Sequence, residues 1–422
     1  MKVWILEIGE PLPIEPNVRL HRYGLFSRWL AKQGHQVTWW TSSFSHAPKK
    51  NFVEETCVLE QDGVQLRFIF GRGYTRNVSL ARVKHQADFA KAFLLEAKTL
   101  MSGRDRERVK PDVILAPIPT IDGAEAAVRF ARRNNIAVIA DIRDLWPDEV
   151  RDLAPHFLRG LAQLALFNAY KKLGLVCSQA TALMAVSQSY LDYGMKHSDR
   201  PSGKNDFVFP LGYSVQKVSD QKMQDAEAWF ASLKIPKASF VICFFGTIGK
   251  FFDLGTVIEA ARALGEEYYF ILGGAGSSLE LFQRQASGLK NVIFTGWLDA
   301  AQIQVVMKHS MVGLAPYALS AKMSLPNKPF EYMSAGLSIV SSIQYELKHI
   351  LQENNAGFTY HADSAKELCD VLKRLKAEPQ LRAQTGENAR ALYEREFTAE
   401  RVFAKAEHQI KTIVDSYSGA RT

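Results

Sequence analysis

The sequence predicts two doubly wound α/β domains joined by a hinge, and three observations carry that reading. A chain of 422 residues exceeds one ordinary core and calls for two domains of roughly 200 residues each. Short apolar or β-branched runs alternate with helical patterns through the first half, as in a parallel sheet covered on both faces. Beyond the turn Phe209-Pro-Leu-Gly-Tyr213, a second alternation of the same kind begins at Phe240.

Taken in order, Val3–Ile8 reads as a strand and Leu20–Gln33 as an amphipathic helix. Gly34-His35 then leads into the strand Gln36–Thr41. Val113–Ala116 and Ala137–Asp141 are further strands, separated by the helix Gly123–Asn134, and Ala182–Ser187 and Asp206–Phe209 close the first set. A polar segment, Ser214–Ala228, follows the hinge. The second set has strands at Phe240–Phe245, Tyr268–Gly273, Val292–Thr295, Met311–Ala315 and Leu337–Ser341. Its helices are Asp253–Leu264, Leu279–Ser287, Ala300–Lys308, Phe330–Ser334 and Ser364–Lys376. The last segment, Leu381–Ser416, is charged and helical. Ligands of such sheets bind beyond the carboxyl ends of the strands, so two facing domains are expected to share a cleft there.

Composition narrows the class. An apolar content of 47% with 23% charged residues is that of a soluble globular chain. The net charge of +8 is uneven: residues 1–212 hold 29 Lys and Arg against 22 Asp and Glu, a balance of +7. A basic first half points to an anionic partner such as a phospholipid surface, a lipid diphosphate or nucleic acid, or else to a merely soluble basic face. The four cysteines are scattered, three of them in apolar runs, so buried free thiols in a reducing cytosol are expected. The run Lys2-Val-Trp-Ile-Leu6 reads as a first strand and not as a signal peptide. The longest apolar stretch, Phe157–Cys177, is broken by Arg159, Lys171 and Lys172 and is no membrane span. The part up to Lys172 is amphipathic and fits either a helix covering the core or one lying on an anionic membrane. A cytoplasmic protein, at most peripheral on the inner-membrane surface, is the expectation.

The densest chemistry lies in Leu325-Pro-Asn-Lys-Pro-Phe-Glu-Tyr-Met-Ser-Ala-Gly336. Pro326 and Pro329 suit a helix entry, where no amide hydrogen is needed. Free amides around Asn327 and the positive helix end make an anion site, and Lys328 adds a full charge at its mouth. Glu331, about one turn further in, is placed to accept hydrogen bonds from the two hydroxyls of a ribose. Gly246-Thr-Ile-Gly-Lys250 offers glycines for close backbone approach and a lysine to neutralise phosphate, although its spacing is not that of a P-loop. Gly273-Gly-Ala-Gly276 lacks the full dinucleotide spacing. Thr295-Gly-Trp-Leu-Asp299 either presents backbone groups to a base or is a turn with Asp299 capping the next helix.

In the first half, Asp141-Ile-Arg-Asp-Leu-Trp-Pro-Asp148 follows an apolar strand. Asp144 could orient an acceptor hydroxyl and Arg143 hold an oxyanion; a helix cap with a local salt bridge is the competing account. Glu10, Arg19, His21 and Arg22 border the loop after the first strand, with His21 a weak base candidate. No ligand spacing indicates a bound metal, and no cofactor is expected.

These residues together resemble the GT-B glycosyltransferases of family 4, in particular the bacterial enzymes that build O-antigen, capsule or exopolysaccharide. The resemblance spans essentially the whole chain. It rests on Gly34-His-Gln-Val-Thr38, Asp141-Ile-Arg-Asp-Leu-Trp-Pro147, Phe245-Gly-Thr-Ile-Gly249 and, most specifically, Pro326–Gly336. It implies an acceptor-binding Rossmann-like domain over 1–210, a nucleotide-sugar domain over 211–396, and a C-terminal helix, 397–422, packing back on the first. It further implies that Glu331 holds the ribose and that Lys328 with the amides of Leu325, Pro326 and Asn327 holds the diphosphate. Trp297 and Leu298 would frame the base, with Gly249 and Lys250 near the phosphates. Many members carry an earlier second glutamate, seven residues lying between the two, but Met323 stands there. Donor-sugar recognition is therefore rearranged and no general base is assigned. The doubled glycine usual in the first loop is also absent, and Pro11, Pro13 and Pro16 stiffen it instead.

The implied reaction is retaining, metal-independent transfer of a hexosyl group from a nucleotide diphosphate sugar, with UDP the expected nucleotide. The acceptor is a saccharide or a polyprenyl-diphosphate-linked saccharide on the basic first domain. Catalysis would fall to Asp144, Lys328 and Lys250, and acceptor binding to Glu10, Arg19, His21 and Arg143. Two alternatives are a nucleotide-sugar 2-epimerase of the same fold and a basic nucleic-acid-binding protein. The latter lacks any recognition motif.

Overall fold

The computed structural model describes residues 1–14, 18, 20–46, 48–77, 79–104 and 106–419. Arg19 and Pro16 therefore lie outside the described residues. The chain divides into two compact units: Met1–Pro210 together with the chain from Phe403 onward, and Leu211–Val402.

The first unit holds an eight-stranded sheet. Its strands are β1 (Lys2–Leu6), β2 (Gln36–Ser42), β3 (Cys57–Gln61), β4 (Val64–Ile69), β5 (Val113–Ile118), β6 (Ala137–Ile142), β7 (Ala182–Ala185) and β8 (Phe207–Val208). They lie in the order β8-β7-β6-β5-β1-β2-β4-β3. The expected parallel pairing holds from β8 to β4, but β3 runs antiparallel to β4. The reason is a two-residue turn, Asp62-Gly63, with both residues at positive φ (53° and 76°), the geometry that matches hairpin twist. The sequence reading placed no hairpin there.

That reading also omitted the 23-residue helix Leu80–Ser102. Ser79 starts it by accepting from the Arg82 amide at 3.2 Å. His85, Phe89, Phe93, Ala97 and Met101 recur every four residues and form its buried stripe. Trp4, Trp40, Phe93 and Phe130 pack around it; the Trp4 and Trp40 rings are 5.1 Å apart, as are those of Trp40 and Phe93. The final helix, Ala399–Gly419, contributes Phe403 against Phe26 and Glu407 to the His35 ring (2.9 Å) and the Trp29 indole (3.1 Å).

The second unit holds a six-stranded, wholly parallel sheet: β9 (Phe240–Phe245), β10 (Tyr268–Gly273), β11 (Val292–Gly296), β12 (Val312–Ala315), β13 (Ser338–Ser341) and β14 (Gly357–Thr359). Their order is β11-β10-β9-β12-β13-β14. All six residues of β9 are buried. Phe240, Ile242 and Phe244 face one core, while Val241, Cys243 and Phe245 face the other, as period-two alternation requires. The polar stretch 214–228 is corrected: it leads into a helix, Asp220–Ser232, that buries only Ala226. It docks on Ala300–His309, where Glu227 meets Lys308 and His309 at 2.7 Å each and the Phe230 ring stacks on His309. The four cysteines are free, and Cys177, Cys243 and Cys369 are buried.

Candidate active site

In the second unit the carboxyl edge of the sheet is built by backbone. The Gly246 amide donates to the Gly273 carbonyl (2.9 Å), the Ile248 amide to that of Ala275 (2.9 Å) and the Gly274 amide to that of Gly296 (2.6 Å). The loops after β9, β10 and β11 are thus laced together. This lacing accounts for the glycines. A Cβ on Gly274 would lie 1.8 Å from the Gly246 carbonyl oxygen, and one on Gly276 would lie 2.2 Å from that of Ile248. The Gly273–Gly276 run therefore serves loop packing.

Against these loops stands the helix Lys328–Ser334, entered through Asn327 with Pro329 in its first turn. The Lys328 ammonium covers Gly246 so closely that a Cβ there would be 2.4 Å from Nζ, and it lies 4.4 Å from the Phe252 ring centroid. Three residues on, Glu331 is only 4% exposed. Its neighbours fix the helix: Phe330 packs on Phe397 at 4.6 Å, and the Tyr332 hydroxyl donates to the Leu314 carbonyl at 3.0 Å. Burial holds the Tyr317 phenol well above its usual range, and the Glu331 charge adds to that rise. Leu325 and Pro326 are buried and Asn327 is exposed.

The remaining donor-side candidates lie on the neighbouring loops. Gly249 and the exposed Lys250 follow β9, with the Lys250 ammonium 5.2 Å from the Phe251 ring. Trp297 is 66% exposed beyond β11, while Leu298 tucks against Gly273. Asp299 forms a full capping box with Gln302, so the turn-and-cap account of that carboxylate is the one observed. Met323 is half-buried and packs on the apolar core.

In the first unit the corresponding edge is built by charge. The Arg143 guanidinium bridges Glu7 (2.8 Å) and Glu10 (2.6 Å). Asp141, fully buried at the end of β6, pairs with Arg22 and accepts from the Tyr23 hydroxyl at 2.8 Å. Glu10 also accepts from the Tyr23 amide (2.9 Å), one of the free donors at the start of helix Arg22–Lys32. Burial pushes the Glu7 carboxyl up to about 7; Arg143 opposes the shift and Glu10 adds to it. Asp144 is half-buried, and burial raises its carboxyl too, against the pull of Arg143 and then Arg82. His21 is exposed at the helix N-cap.

The structure therefore brings Glu10 and Arg143 together, with Asp144 adjacent in the chain. It also adds Glu7, Asp141 and Tyr23, to which sequence reasoning gave no role, and pairs Arg22, named there only as bordering the first loop, with Asp141. The one available signal was charge at the ends of apolar strands, at Glu7 and Asp141. Among the described residues no group of three or more His, Cys, Asp or Glu is placed to hold a metal ion, and no helix is long and apolar enough to cross a membrane.

One surface of this unit is unusual. Across residues 153–167 nothing is buried, and Leu153, Phe157, Leu161, Leu164 and Phe167 all face solvent, Phe157 at 82% and Leu164 at 71%. They sit just before and on the short helices His156–Leu158 and Arg159–Ala165 and at the start of Phe167–Gln179. No Asp or Glu occurs between Leu153 and Leu191. Of the two accounts of Phe157–Lys172, covering the core is thus excluded for these large side chains.

Comparison with known proteins follows the same division. Residues 225–392 match the family Glycosyl transferases group 1. A putative colanic acid biosynthesis glycosyl transferase, WcaI of Escherichia coli K12, is 27% identical over 225 residues. That match covers 51% of this chain and 52% of the relative, about half the length of each. Among solved structures, the fold is similar to sucrose-phosphate synthase from Thermosynechococcus elongatus (TM-score 0.72, 14% identity, 98% of this chain and 99% of that one). It is also similar to Anabaena HepE in complex with UDP-glucose (0.66, 14%, 98% and 100%) and to WaaG, a glycosyltransferase of lipopolysaccharide biosynthesis (0.63, 14%, 96% and 98%). The two Rossmann-like units thus share the GT-B fold of these neighbours, and the group 1 glycosyl transferase match lies within the second of them.

Proposed function

We propose that the protein is a retaining, metal-independent hexosyltransferase that uses a UDP-sugar to extend a saccharide or polyprenyl-diphosphate-linked saccharide for a cell-surface polysaccharide. The observation that carries this is Lys328 seated over Gly246 with Glu331 buried one turn further along the same helix. A diphosphate on Lys328, Lys250, Gly249 and the amides of Leu325 and Asn327 would leave a ribose within reach of Glu331, with Trp297 and Leu298 toward the base. HepE, of the same fold, has been solved in complex with UDP and with UDP-glucose, which supports UDP here. The second unit takes the donor and the first takes the acceptor, with Asp144 orienting the attacking hydroxyl and Glu10, His21 and Arg143 bordering it.

In the reaction, the bond from the anomeric carbon to the β-phosphate oxygen breaks as the acceptor oxygen bonds to the same face. The acceptor proton passes to the departing diphosphate. Lys328 and Lys250 stabilise the charge that develops there, the role a metal ion plays elsewhere. The exposed apolar stretch 153–167, free of acidic residues and near Lys171, would rest on an anionic bilayer and bring the enzyme to a lipid-linked acceptor at the cytoplasmic face.

A thermal-shift panel of UDP-, GDP- and dTDP-sugars tests the donor. The right donor at ~100 times its Kd should add about 2.7 kcal/mol to stability. Glu331→Ala should abolish that gain, and acceptor-dependent UDP release with it, without EDTA affecting the parent enzyme. A folded Glu331→Ala protein that binds and transfers normally would refute the assignment. Interconversion of the sugar without acceptor would instead identify an epimerase.

A further inference from the structure

Beyond the residues already assigned, the first unit gathers a second polar cluster at the carboxyl ends of the paired strands β2 and β4. A short hairpin, Phe44–Ser45 against Lys50–Asn51, follows β2 and carries His46 and Lys49. The loop after β4 carries Tyr74, and the first turn of helix Leu80–Ser102 supplies Arg82. We propose that His46, Lys49, Tyr74 and Arg82 bind a phosphate or diphosphate group of the acceptor substrate, a claim that rests on the glycosyl-transfer reading.

The cluster is built and partly buried. The Tyr74 hydroxyl lies 2.5 Å from His46 Nδ1, and Lys49 Nζ lies 3.3 Å from the same nitrogen. Lys49 and Arg82 both stand over the Tyr74 ring, at 5.0 and 5.9 Å from its centroid. The Phe44 ring packs on Tyr74 at 4.8 Å, and Gly73 (φ 71°) approaches Phe44 so closely that a Cβ would meet it at 2.2 Å. Loop and hairpin are thus held against each other by packing, which fixes where the polar atoms point.

Its charges are all of one sign. Lys49 donates to the His46 carbonyl and Arg82 to that of Asn77 (2.9 Å), and neither takes part in an ion pair among the described residues. Burial pushes the His46 imidazole down to about 4, with Lys49 and then Arg82 adding to the shift, and burial and Arg82 likewise lower the Lys49 ammonium. Like charges drawn together and half-desolvated oppose folding, and an anion between them reverses that opposition. Lys50, Arg72 and Arg76, close in the chain to Lys49 and Tyr74, add to the positive charge of these two loops. The Arg82 charge also opposes the burial-driven rise of the Asp144 carboxyl, the side chain assigned to orient the acceptor hydroxyl. The donor nucleotide is assigned to Lys328 and Glu331 of the other unit, which leaves the acceptor as the ligand proposed for this cluster.

The test is calorimetric titration of the full chain with inorganic pyrophosphate, in saturating UDP so that the donor site is filled. The wild type should bind, and the double variant Lys49→Gln/Arg82→Gln should bind about tenfold more weakly or not at all. UDP binding and the unfolding temperature of that variant should be undiminished, which separates a lost site from a lost fold. Glu331→Ala, titrated without UDP, should keep pyrophosphate binding that Lys49→Gln/Arg82→Gln removes. That arm stands even if the donor reading fails. Parallel titrations with farnesyl diphosphate and with a hexose 1-phosphate distinguish a prenyl diphosphate from a phosphorylated saccharide as the source. Equal pyrophosphate affinity in the wild type and the double variant, or no binding to either, overturns the proposal.

Discussion

The two sheet edges reach a similar end by opposite means. In the second unit, glycine loops lock backbone to backbone beneath Lys328, with Glu331 buried one turn further along its helix. In the first, side-chain ion pairs among Glu7, Glu10, Arg143, Asp141 and Arg22 hold the loops in place, while Lys49 and Arg82 gather over the Tyr74 ring in no ion pair among the described residues. Backbone lacing makes a rigid frame that only glycine can satisfy, suited to a diphosphate common to many donors. A charged framework can be re-drawn one side chain at a time, which suits the part of an enzyme that must fit its own acceptor.

The sharpest way to break this contrast is Gly274→Ala. Because the added methyl would lie 1.8 Å from the Gly246 carbonyl oxygen, and φ at 133° already disfavours a side chain, two loops must part. A destabilisation of roughly 3 kcal/mol or more is expected, with donor binding lost. Chemical denaturation measures it. A variant as stable as the parent would show that the lacing is incidental.

This asymmetry also explains what could be read from the sequence. Pro326–Gly336 is contiguous, so its helix entry, its lysine and its carboxylate one turn on were all visible in a dozen letters, and the structure has the helix start at Lys328. Most parallel strands of both units were legible from their apolar runs, with boundaries off by a residue or two, but Val64–Ile69 and the three-residue edge strand Gly357–Thr359 were missed. The first-unit network was not, because Glu7 and Arg22 lie more than a hundred positions from their partners Arg143 and Asp141 and meet them only on folding. Helix Leu80–Ser102 escaped because its buried stripe of His, Phe, Ala and Met is interleaved with further apolar residues such as Leu94, Leu95 and Leu100, which blur the contrast between its faces. Phe157–Lys172 shows the limit of pattern: an amphipathic helix looks the same whether its apolar face meets a core or a membrane.

That stretch supplies the next test, of intermediate size. Replacing Phe157 and Leu161 by Ser should weaken sedimentation with vesicles containing anionic phospholipid by about tenfold or more, since each side chain forfeits apolar burial in the bilayer. Both are exposed in the fold, so stability should move by no more than about 0.5 kcal/mol. Unchanged vesicle binding would leave the basic charge alone as the attraction and remove these side chains from it.

The smallest effect probes the charged framework itself. Glu7 has its carboxyl raised by burial to about 7 from an ordinary 4.5, so between those values the folded chain holds a proton that the unfolded chain has released. A folded state that binds more protons loses stability as pH rises, and the loss is complete once Glu7 is ionised in both states. From pH 6 to pH 7 this amounts to about 1 kcal/mol. His46 and His85 are lowered by burial and act in the opposite sense, adding stability as pH rises toward 6.5, so the wild-type profile alone mixes the two. The difference between wild type and Glu7→Gln isolates the carboxylate: the variant should lack the decline between pH 6 and 7 while keeping the histidine-driven rise below it. Parallel profiles for the two proteins would mean that Arg143 holds Glu7 ionised throughout, and the first-unit edge would then be a fixed salt bridge, as indifferent to neutral pH as the glycine lacing of the second.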